Sequence, residues 1–177
     1  MTEYRRYFVP GGTYFFTVNL AERSRRLLVE HIALLRMAVA ETRREHPFTL
    51  DVMVILPDHL HAVWTLPPDD ADFSGRWRKI KARFSRGLPR TERRSASLVG
   101  KGERGIWQRR FWEHAIRDEH DMQRHVDYIH YNPVKHGHCR NVADWPYSTF
   151  HRYVAMGIYP ENWAGVIDKE ADDGYGE

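Results

Sequence analysis

Two β-rich apolar runs, Leu50–Leu56 and His59–Leu66, are separated only by Pro57-Asp58. That dipeptide is turn chemistry: proline presets its φ, and aspartate bonds the backbone two residues on. Strands joined this closely pair antiparallel, since a parallel pair needs a crossover of a dozen residues or more. The arrangement predicts a hairpin at the centre of a sheet. Thr13–Leu20, aromatic and β-branched after Pro10-Gly11-Gly12, reads as an earlier strand, and Phe111–Arg117 as a later one. Between them, His31–Arg44 has helical spacing through Ile32, Leu35, Met37 and Val39. Asp72-Phe73-Ser74 opens a basic helix running towards Arg86. Asp118 is placed to cap a last helix, Glu119 to Tyr131, which Asn132-Pro133 should end or bend. The order strand, helix, strand, strand, helix, strand, helix predicts an α+β fold. A ferredoxin-like sandwich fits it, with a central antiparallel sheet and helices on one or both faces.

A chain of 177 residues is about one domain, taken as residues 1–166, followed by an acidic, flexible tail at 167–177. No apolar run approaches the roughly 18 residues of a membrane span. No apolar signal-peptide core follows Met1-Thr2-Glu3-Tyr4-Arg5-Arg6. Cys139 is the single cysteine, which excludes an internal disulfide and a multi-cysteine zinc site. The expectation is a cytoplasmic, nucleoid-associated protein.

Net charge is only +3, but it is unevenly placed. Arg76, Arg78, Lys79, Lys81, Arg83, Arg86, Arg90, Arg93, Arg94, Lys101, Arg104, Arg109 and Arg110 are opposed in their stretch only by Glu92 and Glu103. Asp168, Glu170, Asp172, Asp173 and Glu177 then face Lys169 alone. A basic middle suits a polyanion, although a solvated helix face and loop would look the same. Residues 87–105, rich in Gly, Ser, Arg and Lys, read as a mobile loop.

Two groups carry candidate chemistry. On a strand, His59 and His61 share a face, so two imidazoles can grip one divalent ion while Leu60 enters the opposite layer. A pair of hydrogen-bonded histidines at a sheet end is the plain alternative. On the last helix, Met122, Val126 and Ile129 form the apolar stripe. Tyr128 lies off it, with His125 and Asn132 on its flank, a face not needed for packing. A tyrosine can attack phosphorus and form a covalent intermediate, but its pKa of about 10 demands help at neutral pH. A metal can polarise the phosphoryl oxygen. The side-chain oxygen of Asn132 is a candidate third ligand, and two nitrogen donors suit manganese better than magnesium.

Leu56-Pro57-Asp58-His59-Leu60-His61 resembles the histidine–hydrophobe–histidine motif of HUH single-tyrosine transposases. The run His125 to Gly137, with Tyr128-Ile129-His130-Tyr131-Asn132-Pro133-Val134-Lys135 at its centre, is similar to the tyrosine helix of the REP-associated branch. Glu3–Tyr7, Gly11–Val18, Trp107–His114 and Asp144–Phe150 also match, so the likeness runs from Glu3 to Gly165. The resemblance implies a ferredoxin-like sandwich with the nucleophile on a late helix. It implies that Tyr128 attacks a DNA phosphodiester, keeps a 5′-phosphotyrosine and frees a 3′-hydroxyl. It implies Mg2+ or Mn2+ held by His59, His61 and Asn132, where some relatives carry glutamine in place of Asn132. The implied partner is single-stranded DNA from repetitive extragenic palindromes, a hairpin with a flanking guide sequence. A monomer is expected, with a dimer left open.

Binding would rest on Arg5, Arg6, Arg78, Lys79, Lys81, Arg83, Arg109, Arg110 and Lys135 against phosphates. Trp107, with Trp77, Phe111 and Trp112, offers stacking for unpaired bases. The acidic tail can fold over the basic site as an internal competitor. Two other readings stay open. One is a sheet-based nucleic-acid binder without catalysis. The other is a zinc hydrolase, which has only two local ligands here. The segment Arg86–Gly105 is long for such a loop and is expected to widen the DNA footprint. Deleting residues 90–102 should therefore weaken hairpin binding in a gel-shift titration, and an unchanged affinity would remove the idea.

Overall fold

The computed structural model describes residues 6–165 and Tyr175. Four strands, β1 (Thr13–Asn19), β2 (Thr49–Ile55), β3 (His59–Thr65) and β4 (Trp112–Ala115), form one sheet in the order β2-β3-β1-β4. Every neighbouring pair is antiparallel. Between β1 and β2 lie a short α1 (Leu27–Glu30) and α2 (Ile32–Glu45), and between β3 and β4 lie α3 (Phe73–Gly87) and α4 (Ala96–Gly100). This is the ferredoxin-like βαββαβ topology. It is extended by α5 (Glu119–Lys135), a 3-10 turn (Val142–Asp144) and α6 (Phe150–Ala155).

The β2–β3 hairpin forms as expected but is not central. β2 lies at an edge, because β3 gives its other side to β1 along Thr13↔Thr65 to Asn19↔His59. β4 then closes the far side of β1.

Strand alternation sorts the core into two layers. Tyr14, Phe16 and Val18 of β1, with Leu60, Ala62 and Trp64 of β3, pack against α2 and α3. Trp64 and Trp77 stack there at 4.1 Å and 17°. Phe15, Val52, Val54 and Val63 face the other way, onto Val126 and Ile129 of α5. Helices thus cover both faces. Thr17, His59 and His61 share this second face and are buried.

Helix α5 is capped by Asp118, whose carboxylate accepts the amide of Asp121 at 2.8 Å. It does not end at Tyr131. Pro133 lies inside it, and the helix continues to Lys135. Proline removes one amide donor. The neighbouring ladder persists, with His136 N–H bonded to the Asn132 carbonyl at 3.0 Å.

The Arg86–Gly105 segment is more ordered than its composition predicts. It contains α4, whose capping residue Ser95 accepts the amide of Leu98. Arg104 donates to the carbonyls of Leu88 at 2.9 Å and Pro89 at 2.7 Å, and pairs with Glu92 at 2.6 Å. A cation bonded to carbonyls just beyond a helix C-terminus is a favourable end.

The tryptophans divide sharply. Trp77 is 1% exposed, whereas Trp112 is 37% exposed. Trp77→Ala should cost about 3–5 kcal/mol in chemical denaturation. Trp112→Ala should cost clearly less, because over a third of that residue's surface already meets water. Equal losses would contradict the packing described.

Candidate active site

The site lies where α5 crosses the sheet face that carries His59 and His61. Val126 and Ile129 anchor the helix on β2 and β3, and this turns Tyr128 towards the strands. The Tyr128 ring meets His61 edge-on at 5.4 Å and Phe15 at 6.2 Å. The flank carrying Tyr128 is therefore not an idle face: His125 and Asn132 are buried and Tyr128 is half-buried. The stripe at Val126 and Ile129 is narrower than the contact surface, because flanking polar groups also face the sheet.

The two imidazoles stand 5.0 Å apart at 84°. Their outer nitrogens are bonded in a way that sets the tautomers. His59 Nδ1 is 2.8 Å from the Asp58 carboxylate. Burial would raise the Asp58 pKa, but hydrogen bonds with His59 and Arg23 outweigh it and hold the carboxyl well below its usual range. An ionised carboxylate only accepts, and its 2.8 Å bond is much shorter than the 3.3 Å approach of Arg23 Nη2 to the same nitrogen, so the His59 Nδ1 proton points at Asp58 and Nε2 keeps its lone pair. His61 Nδ1 lies 2.9 Å from Thr17 Oγ1. The Thr17 hydroxyl spends its one hydrogen on the Tyr175 carbonyl, so it accepts from His61. His61 Nε2 is likewise left as a donor of electrons. Oriented imidazoles backed by a carboxylate and a hydroxyl are what a metal-binding pair requires. Asn132 is fully buried one turn after Tyr128, on the same helix.

Lys135 closes the site. Its Nζ donates to Tyr128 Oη at 3.3 Å and lies 5.0 Å over the ring. Tyr175 lies face to face on Tyr128, 3.7 Å between ring centroids and 12° between planes. The other acidic-tail residues fall outside the described residues.

The basic residues separate into two sets. Arg76 is 3% exposed and grips Asp70 with two bonds of 2.9 and 2.7 Å. Arg83 is tied to Glu41 and Glu45 of α2. These two, with Arg104, serve as ties within the fold. Arg78 and Arg110 are exposed, and Lys79 is half-buried on the same helix as Arg78. Arg109 is exposed and paired with Glu103 at 2.9 Å. Arg6 lies over the Phe111 ring at 4.3 Å. Lys81 bonds the Gln108 carbonyl at 2.9 Å, and burial followed by the nearby Arg6 charge lowers its pKa to about 8. Arg6, Arg78, Lys81, Arg86, Arg90 and Arg109 line a cleft of about 810 Å³ between α3 and the segment before β4. Trp107 touches this cleft but is 9% exposed and packs edge-on to Phe84. Trp77 is likewise core, so neither offers an open face to a base. Arg5 lies outside the described residues.

Sequence reasoning missed four contributors. Thr17 and Phe15 are hidden inside an apolar strand. Asp58 reads as a turn residue, although its place directly before His59 was a usable signal. His136 follows the last residue of α5 and meets His59 at 5.1 Å, a contact that only the unbroken helix produces.

Among the described residues, no helix is long and apolar enough to cross a membrane. No family model matches the sequence. A REP-associated tyrosine transposase of Escherichia coli K12 is 51% identical over 94% of this chain and 93% of its own length. A relative assigned to the same family in Haemophilus influenzae is 48% identical over 95% of this chain and 96% of its own. A solved structure of a REP-associated tyrosine transposase bound to a REP hairpin superposes with a TM-score of 0.84. It is 49% identical and covers all of this chain and 98% of its own. With a ferredoxin-like sheet, a histidine pair on β3, a tyrosine set against it from α5 and near-full-length relatives at about half identity, the chain belongs to the REP-associated tyrosine transposases.

Proposed function

We propose that this protein cuts and rejoins single-stranded DNA at hairpins of repetitive extragenic palindromes, through a covalent bond to Tyr128. The observation that carries the reading is Tyr128 set 5.4 Å from the ring of His61, with His59 beside it on the same strand. The phenol oxygen attacks the phosphorus, the P–O3′ bond breaks, and the phenol proton passes in net to the departing 3′-oxygen. The product is a 5′-phosphotyrosine and a free 3′-hydroxyl, and the reverse step rejoins strands. Lys135, already bonded to the phenol oxygen, favours the deprotonated form that attacks, before the bond to phosphorus forms. His59, His61 and Asn132 would hold Mg2+ or Mn2+, and two imidazoles favour the latter. Such an ion would supply positive charge to the phosphate. The solved relative's hairpin ligand supports the same class of substrate here.

The cleft between α3 and the segment before β4 receives phosphates, with Arg78, Lys81 and Arg109 as contacts and Arg6 at its aromatic wall. The acidic tail regulates access: Tyr175 covers the nucleophile's ring, and DNA must displace it. A monomer suffices for this chemistry, since the nucleophile and the histidine pair come from one copy.

Labelled hairpin DNA with its flanks and Mn2+ should give a protein-linked band on denaturing gels. Tyr128→Phe should abolish that band, and so should His59→Ala/His61→Ala or chelation. Tight binding by all three proteins with no covalent band in wild type would favour the non-catalytic binder. Truncation after Val166 should raise the cleavage rate; an unchanged rate and affinity would sink the tail's role.

A further inference from the structure

A second cluster of ligand-type side chains lies outside the His59–His61 pair. His114 comes from β4, and Asp121 and His125 come from the first half of α5. One donor atom from each lies within 4.8 Å of the others. The imidazoles of His114 and His125 are stacked at 4.8 Å and 12°. Asp121 stands between them: one carboxylate oxygen is 2.7 Å from His114 Nε2, the other 3.3 Å from His125 Nδ1. Asp121 and His125 are buried, whereas the side chain of His114 is 29% exposed. Phe15 separates this cluster from the first, touching His61 at 5.6 Å and His125 at 4.7 Å.

We infer that His114, Asp121 and His125 form a second site for a divalent transition-metal ion, distinct from the one at His59 and His61. Two imidazoles and one carboxylate, with a further position open to water, are a donor set for zinc-type ions. Bonds of about 2.0–2.2 Å require the donors to draw closer than they stand now. His114, the half-exposed member, is free to make that movement at the sheet edge. The carboxylate is already in its charged form. Burial would raise Asp121, but bonds with His114 and the Arg117 amide pull it down to about 2, and burial lowers His125. His125 Nδ1 also lies 2.7 Å from the Asp121 backbone carbonyl, so in the empty site the ring hydrogens of His114 Nε2 and His125 Nδ1 point at Asp121, and an ion entering there displaces them. An ion at this place would tie β4 to the helix that carries Tyr128. Sequence spacing hides the site, because β4 is brought beside α5 only by its pairing with β1.

The test uses untagged full-length His59→Ala/His61→Ala protein, which lacks the first site, titrated with Co2+. One equivalent should bind with visible absorption of low-symmetry, four-coordinate type. Adding His114→Gln, a half-exposed position, should weaken binding at least about ten-fold, the scale of even an outer-shell loss. In the parent double variant, Co2+ should selectively broaden the imidazole proton signals of His114 and His125, a readout independent of the fold of any further variant. No binding, unchanged affinity in His114→Gln, or broadening confined to other histidines would overturn the assignment. Because the first site is already removed, none of these outcomes bears on Tyr128 cleavage.

Discussion

The contact of α5 with the outer face of the sheet governs the rest of this structure. Val126 and Ile129 lie on Phe15, Val54 and Val63, and burying apolar surface of this kind contributes about 25 cal/mol per Å². The reward is geometric as well as energetic. A helix seated on those residues has one rotation, and that rotation aims Tyr128 at His61 and buries Asn132 one turn later. The site needs no mobile element to assemble, because strand alternation had already put Thr17, His59 and His61 on the same face.

Electrostatics refine what packing sets. Asp58 and Thr17 act through the two imidazoles they bond. They decide which nitrogen of each imidazole keeps its lone pair, and so what the histidines can hold. Among the cations, burial and partner choice separate ties from contacts. Arg76, Arg83 and Arg104 spend their charge inside the fold, leaving Arg78, Arg109 and Arg110 outward. A net charge of +3 therefore understates the basic character of the cleft that Arg78 and Arg109 line.

Much of this was legible in the sequence. The Pro57-Asp58 turn gave the hairpin, the two-residue alternation gave the histidine face, and the Asp118 cap gave the start of α5. What was not legible came from long-range pairing. The edge position of β2 depends on β1 pairing with β3. The passage of α5 through Pro133 depends on tertiary contacts that outweigh one lost amide bond. Trp77 and Trp107 resemble stacking platforms in a string of residues and become core only when α3 meets the sheet. The His114–Asp121–His125 cluster joins a strand to a helix and has no compact motif.

The central claim is that one particular phenol takes the DNA. Tyr131 lies three residues further along α5, and trypsin should release both tyrosines in the single fragment 125–135. Fragment sequencing of that peptide from the trapped protein–DNA adduct, by mass spectrometry after nuclease trimming, distinguishes them. The account predicts the residual phosphonucleotide mass on Tyr128. The same mass on Tyr131, or on a tyrosine outside this peptide, would contradict it.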